Sequence, residues 1–254
     1  MTKNKSKKIT ALIPCYNEAA GIANVIKSFP RQKIEQQGYQ LEIVVIDNNS
    51  IDNTAAIALS LGATVISEQK KGKGNAMRRG FSYVSPDTDF VVMLDGDTTY
   101  RPEEILRMVE PLASGFCNVV IGSRLEGKIS DGSMATFNRM GNWIYSHLVR
   151  YTYHINVTDA LTGYFAWTYD AAQRLYPHLT SSGFAIEMEM VTKMALLGES
   201  IYSVPITYHQ REGESNLSPV SDGIKILWMF TKTLFWKPES PEWLLDHRFK
   251  RKLS

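Results

Sequence analysis

No stretch of this chain reaches the roughly 18 to 20 apolar residues that a membrane-crossing helix needs. The nearest, Ile224 to Trp236, is too short and carries Lys225 and Lys232, so it is expected to lie on a membrane rather than cross one. Cysteine is scarce as well. Cys15 and Cys117 each sit in or beside an apolar strand-like run, and no apolar leader precedes them; a reducing, cytoplasmic setting is expected. A large excess of one charge is also missing: 28 Lys and Arg against 26 Asp and Glu give a formal net charge of +2, which argues against a nucleic-acid binder. Two phosphate-binding signatures are incomplete. Gly72 and Gly74 have Met77 where a dinucleotide fingerprint needs its third glycine, and no glycine is followed by Lys-Ser or Lys-Thr.

What is present is enough apolar material, 44% of 254 residues, for one sizeable domain with an appendage. Strand-like and helical runs alternate from the start: ITALIP then Ala19 to Phe29, LEIVVID then Thr54 to Leu61, ATVIS then Ala76 to Tyr83, FVVML then Glu103 to Leu112, and NVVIGS. Such alternation predicts an α/β fold with a parallel sheet. Asp52 or Asn53 can cap the helix at Thr54, and Pro102 with Glu103 and Glu104 suits a helix start. Further on come a helix over Gly141 to Tyr151, the strand-like GYFAW, a helix over Ile186 to Leu197, the strand IYSVPITY, a polar loop and a final amphipathic segment. The expected divisions are a basic tail at 1–8, a main domain at 9–218 and an amphipathic, membrane-associating segment at 219–254.

The apolar run Phe90 to Leu94 has the character of a strand covered on both faces. It delivers Asp95 and Asp97, with only Gly96 between them, to the edge where open α/β sheets bind ligands. An acidic turn is the plain alternative, since Asp and Gly are ordinary turn formers. Strand one ends in Tyr16, Asn17 and Glu18, and strand two in Asp47, placed to accept hydrogen bonds from a ribose hydroxyl or a base N–H. Capping alone accounts for Asn49, Ser50 and Asp52. The run EQKKGKGNAMRRGF, with Lys73 and Gly74, offers room and charge for a phosphate, or a solvated basic turn. Two carboxylates approach a diphosphate only with a divalent cation between them. Asp97 with Asp95 nearby would hold Mg²⁺ or Mn²⁺ against a nucleotide-diphosphate leaving group. Glu187 and Glu189 are two apart, so one is expected exposed and one buried against a cation or hydrogen-bond donor.

The ordered set ALIPCYNEA, IVVIDNNSIDNT, KGKGNAMRRGF, FVVMLDGDTT, VIGSR, DALTGYFAW, GFAIEMEM and VPITYHQREGESNL resembles the GT-A family 2 glycosyltransferases over roughly residues 9–225. Among them it is most similar to dolichol-phosphate mannose synthases and related polyprenyl-phosphate sugar transferases. The resemblance implies a GT-A fold: a nucleotide-binding, mixed but mostly parallel sheet flanked by helices. It also implies that Pro14, Tyr16 and Glu18 match the donor-binding end of strand one, Asp47 the acid that holds the nucleotide, and Asp95 and Asp97 the metal pair. Arg124, Arg139 and Arg211 match basic positions around sugar, diphosphate and acceptor phosphate. Thr99 stands where relatives often carry Gln, and Asn216 where they carry Lys.

The implied activity is inverting transfer of a hexosyl group from a nucleotide-diphosphate sugar, GDP-mannose or a UDP-hexose, to a polyprenyl phosphate. A membrane surface is an expected partner, with the enzyme peripheral at its inner face. On the last helix Ile224, Leu227, Trp228, Leu234 and Phe235 share a side, an interfacial pattern; packing on the domain or on a membrane partner subunit is the alternative. A hydroxyl acceptor would need a general base, for which Asp159 is the candidate; otherwise Asp159 is a loop cap. A non-catalytic nucleotide-sugar-binding module is the remaining alternative. A nucleotidyltransferase lacks support, because strand one ends in PCYNEA.

Overall fold

The computed structural model describes residues 6–212 and 218–238. Most of the basic tail, Asn216 and the stretch after 238 lie outside the described residues. In chain order the elements are β1 Lys7–Cys15, α1 Ile22–Lys27, α2 Arg31–Gln36, β2 Tyr39–Asp47, α3 Thr54–Ser60, β3 Thr64–Ser67, α4 Lys73–Tyr83 and β4 Phe90–Met93. They continue with α5 Ile105–Ala113, β5 Val119–Ile129, α6 Thr136–Tyr153, β6 Phe165–Thr168, α7 Tyr169–Leu175, α8 Ile186–Leu196, β7 Ile201–Tyr208 and α9 Pro219–Leu234.

The strands form one sheet in the order β3-β2-β1-β4-β6-β5-β7. Pairing is parallel except at β6, which runs antiparallel to β4 and β5. This is the mixed, mostly parallel sheet that the resemblance implies; the alternation of runs alone predicts a parallel one and does not foresee the reversed β6. Side chains alternate across it. Leu12, Val44 and Ile46 join Met77 and Phe81 of α4 on one face, while Ile9, Ile13 and Val45 join Val25, Met108 and Val109 of α1 and α5 on the other. Each such side chain, once fully buried, contributes roughly 1.5 to 3 kcal/mol. All four residues of β4 are buried, because β1 and β6 flank it and helices cover both faces. Its carboxyl end is therefore held by the core while its last side chains reach an open edge.

Several elements depart from expectation. Helix α4 begins at Lys73 instead of Ala76, so Lys73 and Gly74 form its first turn. Helix α6 is 18 residues long and starts at Thr136. The short helices α2 and α7 were not anticipated. Glu187 and Glu189 are both buried, at 5% and 0% exposure, because α8 is covered nearly all round and each carboxylate finds a lysine: Lys73 for Glu187, and Lys193 one turn on for Glu189. Helix α9 packs one side on the domain and leaves the other exposed. Ile226, Met229 and Phe230 pack into the core, whereas Ile224, Trp228 and Phe235 are 65%, 60% and 85% exposed.

Candidate active site

Loops at the carboxyl ends of β1, β2 and β4 surround a cavity of about 270 Å³. Side chains of both segments, Asn17, Ser50, Asp52 and Thr54 among them, fasten the β1 and β2 loops together. Glu18 N–H donates to Thr54 Oγ1 at 2.9 Å, and Ala19 N–H to Asp52 at 3.1 Å. Asp52 also accepts the Thr54 N–H at 3.0 Å, so its role is the structural one expected of it. Asn48 was missed. It donates to the Glu68 and Lys70 carbonyls at 3.1 and 2.7 Å and accepts from Gly72 N–H at 2.6 Å, which ties the β2 end to the turn before α4. Its only signal in the sequence was a polar residue directly after Asp47.

The Asp-Gly-Asp turn has a steric explanation. A Cβ on Gly96 would stand 2.6 Å from Cys15 Sγ beneath it, so the middle position has no room for a side chain. Asp97 is 4% exposed. Its Oδ1 accepts from Thr99 N–H at 3.1 Å and Thr99 Oγ1 at 2.5 Å, and its Oδ2 lies 3.2 Å from Arg211 Nη2. Thr99 thus orients Asp97. Asp95 lies 2.6 Å from Lys73 Nζ, and the same ammonium lies 2.6 Å from Glu187. Arg211 Nη2 also donates to Glu18 at 2.9 Å. Burial pushes the Glu18 carboxyl up to about 7 against the pull of Arg211, with Asp97 adding to the rise. Burial raises Asp97 too, and Asp95 adds to it.

Pro14, Tyr16, Glu18, Lys73, Asp95, Asp97 and Arg211 line the cavity together. Lys71 donates to the Tyr16 hydroxyl at 2.7 Å on its rim. Asp47 ends β2 beside the lining, half-buried and within 3.4 Å of Ser50 N–H. Gly74 requires a correction. It is buried, and a Cβ there would lie 2.2 Å from the Ser181 carbonyl oxygen; the glycine is required by a neighbouring backbone, and it is not among the residues that line the cavity. Arg139 is exposed on α6, outside the cavity lining.

Asp159 corrects a second expectation. It is fully buried and accepts from Arg124 N–H, Nε and Nη2 at 2.9, 2.8 and 2.8 Å and from Asn142 Nδ2 at 2.6 Å. Four donors saturate its two oxygens, so no lone pair faces an acceptor hydroxyl. Arg124 spends its guanidinium on Asp159 and on the Leu161 carbonyl, 2.7 Å away. These residues form a clamp between β5 and α6.

Among the described residues, no group of three or more acidic, histidine or cysteine side chains is placed to hold a metal ion. The oxygens of Asp95 and Asp97 are nonetheless the hard donors that Mg²⁺ and Mn²⁺ take. The Asp95 carboxylate also rests against Gly163, where a Cβ would come within 2.3 Å of Oδ2. That cradle and the buried acid beside it fit a divalent cation.

The profile described as Glycosyl transferase family 2 matches residues 10–175. Glycosyltransferase AglJ of Haloferax volcanii is 36% identical over 217 residues, covering 85% of this chain and 68% of that protein. A dolichyl-phosphate hexose transferase of the same organism is 28% identical over 226 residues, covering 89% and 93%. The crystal structure of Mycobacterium tuberculosis glucosyl-3-phosphoglycerate synthase with Mn²⁺, UDP and phosphoglyceric acid superposes with a TM-score of 0.69 at 22% identity, covering 92% of this chain and 80% of that one. At that identity the likeness bears on the fold.

Proposed function

The chain belongs to glycosyl transferase family 2 and has the GT-A fold, and from that premise we propose that it moves a hexosyl group from a nucleotide-diphosphate sugar to a polyprenyl phosphate with inversion. The observation that carries the reading is the cavity itself, where Asp95 and Asp97 face Lys73 and Arg211 at the carboxyl ends of parallel strands. Carboxylates there suit a cation, and the two basic groups suit an anionic leaving group.

An oxygen of the acceptor phosphate attacks the anomeric carbon, and the bond from that carbon to the diphosphate breaks as the nucleotide diphosphate leaves with the electron pair. A phosphate acceptor is already ionised, so no proton need be removed. The saturated Asp159 supports this acceptor over a hydroxyl. Lys73 and Arg211 supply positive charge where the diphosphate departs, Thr99 holds Asp97 in orientation, and Tyr16 with Lys71 forms the rim on the donor side. A Mg²⁺ or Mn²⁺ ion on Asp95 and Asp97 would neutralise charge growing on the leaving group. The relative whose name includes dolichyl phosphate supports the lipid acceptor.

The lipid also needs a surface. Helices α6 and α9 lie side by side, joined by a hydrogen bond from the Tyr145 hydroxyl to the Gly223 carbonyl at 2.9 Å. Phe137, Met140, Trp143 and Ile144 of α6 are more than half exposed, as are Ile224 and Trp228 of α9, with Arg139, Arg150, Lys225 and Lys232 exposed on the same two helices. Aromatic and aliphatic groups with cations suit the interface of an anionic membrane. No helix among the described residues is long and apolar enough to cross one.

The test is to offer labelled GDP-mannose, UDP-glucose and UDP-N-acetylhexosamine with a short polyprenyl phosphate, with and without Mg²⁺ or Mn²⁺. Metal-dependent transfer from one donor is expected, abolished by EDTA and by Asp97→Ala. Transfer to a hydroxyl acceptor alone, or transfer unaffected by EDTA, would overturn the reading.

A further inference from the structure

Each carboxylate of the proposed metal pair is occupied by a protein cation, and each of those cations has a second carboxylate. Lys73 Nζ spans Asp95 and Glu187, both at 2.6 Å, and Arg211 Nη2 spans Asp97 and Glu18, at 3.2 and 2.9 Å. Four carboxylates against two cations leave a formal excess of two negative charges. Glu187 has capacity in reserve: its Oε2 is buried and without a hydrogen-bond partner among the described residues. A buried carboxylate oxygen left unpaired beside an ammonium is costly, and it becomes useful only if the ammonium can turn toward it.

We infer that Glu187 is a positioning residue for the metal site, the carboxylate that retains Lys73 when Asp95 is given over to a divalent cation. Glu18 stands in the same relation to Arg211 and Asp97. The inference rests on the proposed role of Asp95 and Asp97 and adds how that site is kept compact without metal. The ion does not have to drive a lysine out to solvent or leave it buried and unpaired. It displaces one of two contacts, and the other remains. Both side chains of the first pair are largely covered, at 12% for Lys73 and 6% for Glu187, so bulk water is a poor substitute for the second carboxylate.

The test is Mn²⁺ binding followed by electron paramagnetic resonance without donor or acceptor. Glu187→Gln removes the alternative partner, so Lys73 stays on Asp95 and Mn²⁺ binds roughly tenfold or more weakly, the worth of one charge-assisted hydrogen bond. Loss of a negative charge alone would also weaken binding, and a second background separates the two. Lys73→Met frees Asp95 and should tighten binding several-fold, and in that background Glu187→Gln should have little further effect. Equal weakening by Glu187→Gln with and without Lys73 would overturn the inference in favour of simple charge. Lys73→Met that fails to tighten binding would overturn it even if Glu187→Gln does not fold. A wild-type protein that binds no Mn²⁺ would instead remove the metal reading beneath it.

Discussion

Asp159→Asn is expected to destabilise the protein before it alters any chemistry. The native carboxylate accepts four hydrogen bonds, three from Arg124 and one from Asn142. An asparagine keeps one oxygen and turns an NH₂ donor toward groups that are themselves donors. At least one contact becomes donor against donor, and Arg124, itself 8% exposed, loses its counter-charge. Breaking one partner of a buried ion pair costs about 3 to 5 kcal/mol, a large share of the roughly 5 to 15 kcal/mol by which a domain is stable. At about 2 °C per kcal/mol for a chain near this length, the melting temperature should fall by roughly 6 to 10 °C. Thermal and urea unfolding in EDTA, without donor or acceptor, measure this directly. Arg124→Met in the same chain should recover part of the loss, because the orphaned charge goes with it. A change under about 1 kcal/mol in the single variant would refute the clamp and return Asp159 to the role of a free base.

Three further outcomes are expected. Gly74→Ala places a methyl group against the Ser181 carbonyl, so urea unfolding should show a loss of about 1 to 3 kcal/mol, and the Michaelis constant for the donor should rise as the first turn of α4 shifts Lys73. Glu18, raised to about 7 in the fold, contributes stability that is complete below its unfolded value near 4.5 and is lost as pH rises through 7. Unfolding in EDTA should therefore find Glu18→Gln gaining on wild type by up to ~3 kcal/mol between pH 4.5 and 7.5, whereas parallel pH profiles would contradict the raised value. Wild type should float with anionic vesicles while Trp143→Glu with Trp228→Glu stays in solution; equal flotation would assign the exposed faces of α6 and α9 to a protein partner.

The parts of the site that were legible depend on short stretches of chain. A continuously apolar run ending in Asp95 and Asp97 predicts a buried strand with acids at its tip, and β4 is that strand. The polar ends of β1 and β2 were visible for the same reason. What was not legible depends on residues far apart in sequence. Gly74 suggested a phosphate loop because glycine near a helix start usually marks a loop; the carbonyl that requires it belongs to Ser181, over a hundred positions away. Asp159 offered a carboxylate near a matched motif, and nothing nearby in the chain announced Arg124. Glu187 and Glu189 were placed on opposite sides of a helix by their spacing, correctly as geometry, yet α8 is covered on both sides and so both are buried.

The same distant pairings connect the proposed membrane face to the reaction edge. Asn142 stands on α6, the helix that exposes Met140, Trp143 and Ile144, and its side-chain amide donates to Asp159 while its oxygen accepts from Leu161 N–H at 3.2 Å. Asp159 in turn fixes Arg124, midway along β5. A helix whose outer side suits lipid is thus fastened by its inner side to the segment leading into β6, which pairs with β4. Arg139, which the cavity does not include, lies one turn before Asn142 on that helix. Its exposure beside Phe137 and Met140 suits a cation at the lipid surface, where the phosphate of a polyprenyl chain would arrive, better than one at the departing diphosphate. Arg211 and Lys73, enclosed with the carboxylates, suit the latter. On this proposal the two ends of the transfer would draw on different cations, and a substitution at Arg139 should affect acceptor use while leaving Mn²⁺ binding at Asp95 and Asp97 as it was.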